Sequence, residues 1–256
     1  MSSQREDRER FSTMAETYHR MCRKLVPNYD FLQDELLRIL PFGKSEALQV
    51  VDLGSGSGIL LERILTLFRK AKGFWVDSSE DFLKVAKSNL ERDGFRITYI
   101  LTKLEDPWES RLEGRVDLIV SMSAIHHLSS QQKKRLYERC YDVLNHGGWF
   151  FNVDEMKTVY GDAYLRSMLF WIEHVEQSRT RMDREDMPYY EKWNEYFTRW
   201  RIRNVDYMDH PRAEGDDWHE TFADQLEWLR EAGFVNTDLF VKYHLWSLIG
   251  GQKVAG

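Results

Sequence analysis

The chain has 256 residues, of which 42% are hydrophobic and 30% charged, with a net charge of −6. That size fits one large domain, or one domain with an insertion, and supplies enough apolar mass for a substantial core. No apolar run approaches the ~20 residues that span a bilayer, and the negative charge argues against a nucleic-acid partner with a large footprint.

The charged start, MSSQREDRERF, lacks the apolar segment of a secretory signal. Two cysteines, Cys22 and Cys140, give neither a disulfide framework nor metal-ligand spacing, so the expected location is a reducing cytoplasm. Helical patterns over 4–24 and 29–40 are broken by Pro27 and Asn28. Buried strands are then expected at 47–53, 73–77, 97–101, 116–122 and 149–153, with helices at 59–68, from 79 to about 92, and from 130 through 144. Ser78 with Asp81 and Ser129 with Gln132 read as helix-capping pairs, and Gly147-Gly148 as a helix stop. Such alternation predicts a doubly wound α/β fold with a parallel sheet. The rhythm breaks over 155–215, an aromatic-rich stretch with helical patterns near 158–178 and 188–200, and resumes with a helix at 221–233 and an antiparallel strand pair. The expected organisation is a helical arm (1–44), a Rossmann-like domain (45–154 with 216–256) and a helical cap (155–215).

The stretch VVDLGSGSGILL (50–61) runs from a strand through glycines into a helix, a geometry that holds nucleotide-like ligands. Its spacing is G-x-G-x-G at Gly54, Gly56 and Gly58, not the G-x-G-x-x-G of dinucleotide sites. The Gly-Lys-Ser/Thr ending of a P-loop is absent. Asp77, at the end of the second strand, can accept hydrogen bonds from ribose hydroxyls. Asp52 would repel a pyrophosphate and suits a ligand carrying an ammonium group. A nucleoside with a charged amino-acid tail fits, and S-adenosylmethionine is that molecule.

With FWVDSS, VDLIVSMSAIHHL and LNHGGWFF added, the chain resembles the class I S-adenosylmethionine-dependent methyltransferases over about 45–153. KLVPNYDFL and LREAGFVNTDLFVKYHLWSLIGGQK extend the likeness to the carboxy-S-adenosylmethionine synthases, enzymes of tRNA wobble-uridine modification. The chain departs from these in its ordinary glycine loop, its longer insertion and Lys103, where an aspartate is usual. The resemblance implies a cofactor set of Tyr29, Asp52, Gly54, Ser55, Gly56, Asp77, Ser78, Leu104 and Met122. It also places Arg199 on a carboxylate-binding arginine and, with the helical arm, points to a homodimer.

His126 and His127, after the fourth strand, are candidates for a general base, or for structural rings bonded to backbone. Arg199, Arg201 and Arg203, if extended, would present three guanidinium groups on one side; the alternative is a solvated face. Tyr160, Tyr164 and Tyr190 are the aromatic candidates for a substrate pocket, because their hydroxyls need partners. No metal is expected, since DREDM (183–187) has no ligand spacing and His19, His146, His174, His210, His219 and His244 are scattered. The expected function is methyl transfer to a small-molecule acceptor. The alternatives are a carboxy-S-adenosylmethionine synthase-like activity and a non-catalytic binder of the cofactor.

Overall fold

The computed structural model describes residues 14–208, 211–213 and 216–254. Within them, helices α1 (Ala15–Leu25) and α2 (Tyr29–Ile39) precede strand β1 (Gln49–Leu53). Then come α3 (Ile59–Leu67), β2 (Lys72–Asp77), α4 (Glu80–Asn89), β3 (Ile97–Leu101), β4 (Val116–Met122), α5 (Ser130–Val143) and β5 (Leu144–Glu155). Helices α6 (Gly161–Ser178) and α7 (Met187–Arg201) form the insertion, followed by α8 (Phe222–Glu231), β6 (Val235–Tyr243) and β7 (Trp246–Gln252). The first predicted helix is seen from Ala15; residues 4–13 lie outside the described residues.

The seven-stranded sheet has the order β3-β2-β1-β4-β5-β7-β6, parallel through β5 and antiparallel at β7 and β6. Its central strands carry apolar residues at successive positions because both faces are covered. Val50, Trp75, Leu118, Val120, Phe151 and Val153 face the core layer that includes α1, α2, α3 and the insertion. Their chain neighbours Val51, Phe74, Val76, Ile119 and Phe150 face the opposite layer with α5 and α8. The period-2 geometry of a strand divides each run in this way.

Two local expectations are corrected. The cap of α4 is Ser79, not Ser78: Ser79 is extended and its hydroxyl accepts from the Phe82 N–H at 3.2 Å, while Asp77 accepts from the Ser79 N–H at 2.9 Å. Gly147 and Gly148 do not stop a helix. Strand β5 starts directly at Leu144, and the glycines fall where the register against β4 shifts between Val116 and Leu118, a bulge that the left-handed Gly147 (φ 80°) permits. The Ser129–Gln132 capping box on α5 is present in both directions.

The insertion packs on the N-terminal arm. The guanidinium of Arg20 meets Asp186 at 2.6 Å and Lys24 pairs with the same carboxylate. The Trp171 indole donates to the Leu25 carbonyl at 2.8 Å, and Tyr18 stacks on Trp193 with ring centroids 5.6 Å apart. Together arm and insertion cover the carboxyl ends of the parallel strands. Among the described residues, no helix is long and apolar enough to cross a membrane.

Candidate active site

A cavity of about 930 Å³ opens at those carboxyl ends, where the strand order reverses between β1 and β4. Open α/β sheets bind ligands at this switch point. One end of the cavity is built from backbone. Gly54, Gly56 and Gly58 all have positive φ (66°, 52° and 81°). A Cβ on Gly54 would lie 2.2 Å from that of Ala124, so only glycine lets the loop pass the turn after β4. The Gly54 and Ser55 N–H groups donate to the Val76 carbonyl at 2.8 and 3.1 Å, and the Trp75 indole donates to the Gly56 carbonyl at 2.9 Å.

Two carboxylates border this loop. Asp77 accepts from the N–H groups of Gly56 and Ser79, each at 2.9 Å, tying β2 to the loop and to the start of α4. Burial raises its pKa, with the Ser79 and Gly56 N–H groups offsetting part of the rise. Asp52 is buried and accepts from the Ser55 hydroxyl at 2.6 Å. Burial pushes its carboxyl up to about 7, against the pull of Ser55.

The other end is made of side chains from distant segments. After β4, the turn Ile125–His127 places the His126 N–H and Nδ1 on Asp154, at 2.9 and 2.6 Å. Asp217 Oδ1 lies 3.0 Å from His127 Nδ1 and 3.8 Å from His126 Nε2. His219 Nδ1 lies 2.8 Å from the Tyr164 hydroxyl, and its Nε2 lies 3.0 Å from Glu155 Oε2. The segment 216–219 is pinned by the Trp218 N–H, which donates to the His126 carbonyl at 2.7 Å, and by Lys133, whose ammonium donates to the Trp218 carbonyl.

Burial dominates the electrostatics here. It lowers Lys133 to about 8 and His219 to about 3, and raises Glu155 to about 8. It would raise Asp217 too, but the hydrogen bond from His127 and the charges of His126, His127 and His219 outweigh it, holding Asp217 well below the usual carboxylate range. For His126, burial and His127 pull downward, and the charges of Asp154 and Glu155 overcome them and raise it.

All of the expected cofactor residues (Tyr29, Asp52, Gly54, Ser55, Gly56, Asp77, Ser78, Leu104 and Met122) line the cavity, as do His126 and His127. The four expected substrate residues do not. Tyr160 is 67% exposed and bonds Asp162; Tyr190 is buried with its hydroxyl on the Val175 carbonyl; Tyr164 stands behind His219. Arg199 is exposed on α7, which continues into a π-helical turn over Ile202–Asp206, so the three arginines are helical and not extended. Arg203 pairs with Asp216 at 2.8 Å. The aromatic wall comes instead from Tyr18, Trp171, Trp193, Tyr196, Trp200 and Trp218. Asp217, His219 and Glu155 were not singled out by the sequence. The signal for Asp217 and His219 is the mixture of Asp, Trp and His in DDWH just before a helix, which reads more simply as an acidic stretch; Glu155, at the end of β5, carries no such signal. His210 lies outside the described residues.

Residues 50–148 match a family described as a methyltransferase domain. Over 103 residues the chain is 30% identical to the ubiquinone biosynthesis O-methyltransferase of Thiobacillus denitrificans, covering 40% of this chain and 42% of that one. The chain spans about half the length of the relatives it matches. An O-methyltransferase family protein from Burkholderia thailandensis superposes with a TM-score of 0.59 at 15% identity, covering 97% of this chain and 60% of the other. Human N-acetylserotonin methyltransferase, solved in complex with S-adenosylmethionine, does so with a TM-score of 0.53 at 14% identity, over 98% and 56%. The chain therefore has the class I Rossmann-like methyltransferase fold, and its residues 50–148, part of that sheet, are similar to the methyltransferase domain family.

Proposed function

We propose that this protein transfers the methyl group of S-adenosylmethionine to an oxygen of a small aromatic acceptor. The observation that carries the reading is the single cavity that joins the Gly54–Gly58 loop, Asp52 and Asp77 to the histidine–carboxylate cluster beneath the tryptophans. Asp77 holds the ribose, Gly54 to Gly56 lie beneath the methionine part, and Asp52 receives its ammonium. The sulfonium is already a strong electrophile, so alignment of the acceptor oxygen with the methyl supplies much of the acceleration. His127 is half-buried on the cavity wall with its Nδ1 on Asp217, an arrangement that fixes the ring for taking the acceptor's proton. Trp193 and Trp200 line the cavity with their rings, which suits a flat aromatic acceptor. The named O-methyltransferases among the relatives support an oxygen nucleophile.

Carboxymethyl chemistry at Arg199 gains no support, because that side chain is exposed and outside the cavity. The cytoplasmic location and the homodimer remain part of this proposal, on the sequence reading alone. The test is incubation with methyl-labelled S-adenosylmethionine and panels of phenols, carboxylic acids and amines, read by mass spectrometry. Labelled phenol ethers that vanish in His127→Asn support the reading. Labelling confined to amines, or none with any acceptor despite cofactor binding, overturns it.

A further inference from the structure

Three carboxylates, Asp154, Glu155 and Asp217, converge with three histidines at the floor of the cavity, and Lys133 is the one buried ammonium beside them among the described residues. Asp154 is used by His126, and Lys133 by a backbone carbonyl. Glu155 and His219 remain. Glu155 Oε2 and His219 Nε2 are buried, face each other at 3.0 Å, and yet have no aligned hydrogen-bond partner among the described residues. An unmet buried carboxylate oxygen and an unmet imidazole nitrogen are each costly, and two together call for a common partner.

We propose that Glu155, Asp217 and His219 form a binding site for a divalent first-row transition cation. Their ligand atoms all lie within 4.8 Å of one another. Two donors each about 2.1 Å from one ion stand about 3 Å apart when they subtend a right angle, which is the Glu155–His219 separation without the alignment of a hydrogen bond. One imidazole and two carboxylates are donors suited to Zn²⁺, Mn²⁺ or Fe²⁺. Asp217 has a second oxygen to offer while its Oδ1 keeps His127.

The surroundings are those of a metal site. A ligating histidine is usually held through its other ring nitrogen, and Tyr164 holds His219 Nδ1 at 2.8 Å. His126, oriented by Asp154, points its Nε2 to within 3.8 Å of Asp217 and stands ready as a further ligand or as a wall. Glu155 and Asp217 line the cavity whereas His219 lies behind them, so the ion would hold its protein ligands beneath and its open positions toward the acceptor. There it could bind the acceptor's oxygen and lower its pKa. That last role rests on the methyl-transfer reading; the binding of the ion does not.

The experiment is titration of the chelator-treated full chain with Co²⁺, Zn²⁺ and Mn²⁺ in a non-coordinating buffer without S-adenosylmethionine, followed by calorimetry and, for Co²⁺, by visible absorption. The expected result is one ion per chain, with cobalt bands distinct from those of the aquo ion. Glu155→Gln and His219→Gln should each weaken binding at least tenfold, and Tyr164→Phe should weaken it about tenfold. Glu155→Gln keeps the side-chain shape, so it tests the site even where the histidine variant fails to fold. No saturable binding, or unchanged affinity in Glu155→Gln, overturns the site. Cobalt binding in a protein that fails to bind S-adenosylmethionine would leave the site standing and remove the methyl-transfer reading. The reverse pattern would do the opposite.

Discussion

The two ends of the cavity are constructed on different principles. The donor end is a continuous piece of chain, β1 through the start of α4, in which backbone N–H groups, three left-handed glycines and the carboxylates of Asp52 and Asp77 are close in sequence. The acceptor end draws His126 and His127 from the turn after β4, Glu155 from the end of β5, and Asp217 and His219 from the segment before α8. A ligand shared by many enzymes can be held by backbone, which changes little with side-chain identity. A ligand particular to one enzyme must be held by side chains, and those are free to come from anywhere in the fold.

The contrast is sharpest at Gly54. Gly54→Val adds a Cβ 2.2 Å from Ala124 at a φ of +66°, so clash and backbone strain act together. We expect loss of cofactor binding and about 3 kcal/mol or more of stability, checked by denaturant melts beside calorimetric titration. Ala124→Gly added to it should recover only part, since the φ remains unfavourable. Full recovery would mean that the donor end tolerates side chains after all.

Asp77→Asn comes next. Asparagine offers one carbonyl oxygen where two N–H groups now donate, and its amide would oppose one of them. S-adenosylmethionine affinity should fall ten- to a hundredfold, with a modest loss of stability from the orphaned N–H. Unchanged affinity would show that Asp77 organises the loop without touching the ligand.

A pH series tests Asp52. Its carboxyl, raised by burial to about 7, is neutral below that pH and charged above it, so an ammonium-bearing ligand should bind more tightly as pH rises. Between pH 8 and pH 6 the affinity should drop by about tenfold, the most that a single proton allows per unit below the pKa. Asp52→Asn should abolish the slope. A slope that persists in that variant would assign it to another group.

Tyr164→Phe probes the acceptor end from behind, by removing the hydroxyl that meets His219. Turnover should fall roughly three- to tenfold, consistent with the loss of one hydrogen bond, while cofactor affinity stays the same. An equal loss in both would mean that the two ends are not separable. Arg199→Leu should change stability by less than ~0.5 kcal/mol and leave both ends unaffected, as suits an exposed helical position.

The same contrast explains what could be read from the sequence. Glycine spacing, the Asp77 offset and the strand runs are local signals, and they point to the sheet and to the loop residues, Asp52 and Asp77; Tyr29, Leu104 and Met122, which the resemblance implies, line the same cavity. The acceptor end is tertiary: Asp217 and His219 gain meaning only when the chain returns to the end of β5, where Lys157 and Thr221 form a short parallel bridge. Arg199, Arg201 and Arg203 share one side only at a period of two. Yet Tyr190, Trp193, Phe197 and Trp200, buried at helical spacing, already placed Arg199 on the outer face of α7. A tyrosine hydroxyl needs a partner but not a ligand, and Tyr190 satisfies its own on a backbone carbonyl within the core.

The clasp between arm and insertion bears on how the chain acquires its cavity. Arg20 and Asp186 are 166 positions apart, and Trp171 reaches back 146 positions to the Leu25 carbonyl. During synthesis the arm finds part of its docking surface early, in Phe82 against Tyr18 and Met122 against Gln33, whereas its contacts with the insertion need α6 and α7 to be made. The cavity is thus finished late, roofed by the insertion and completed by Asp217 and Trp218 after it. A chain arrested before α7 would carry the glycine loop without Trp193 and Trp200 above it, and its Tyr18 would lack the ring on which it stacks.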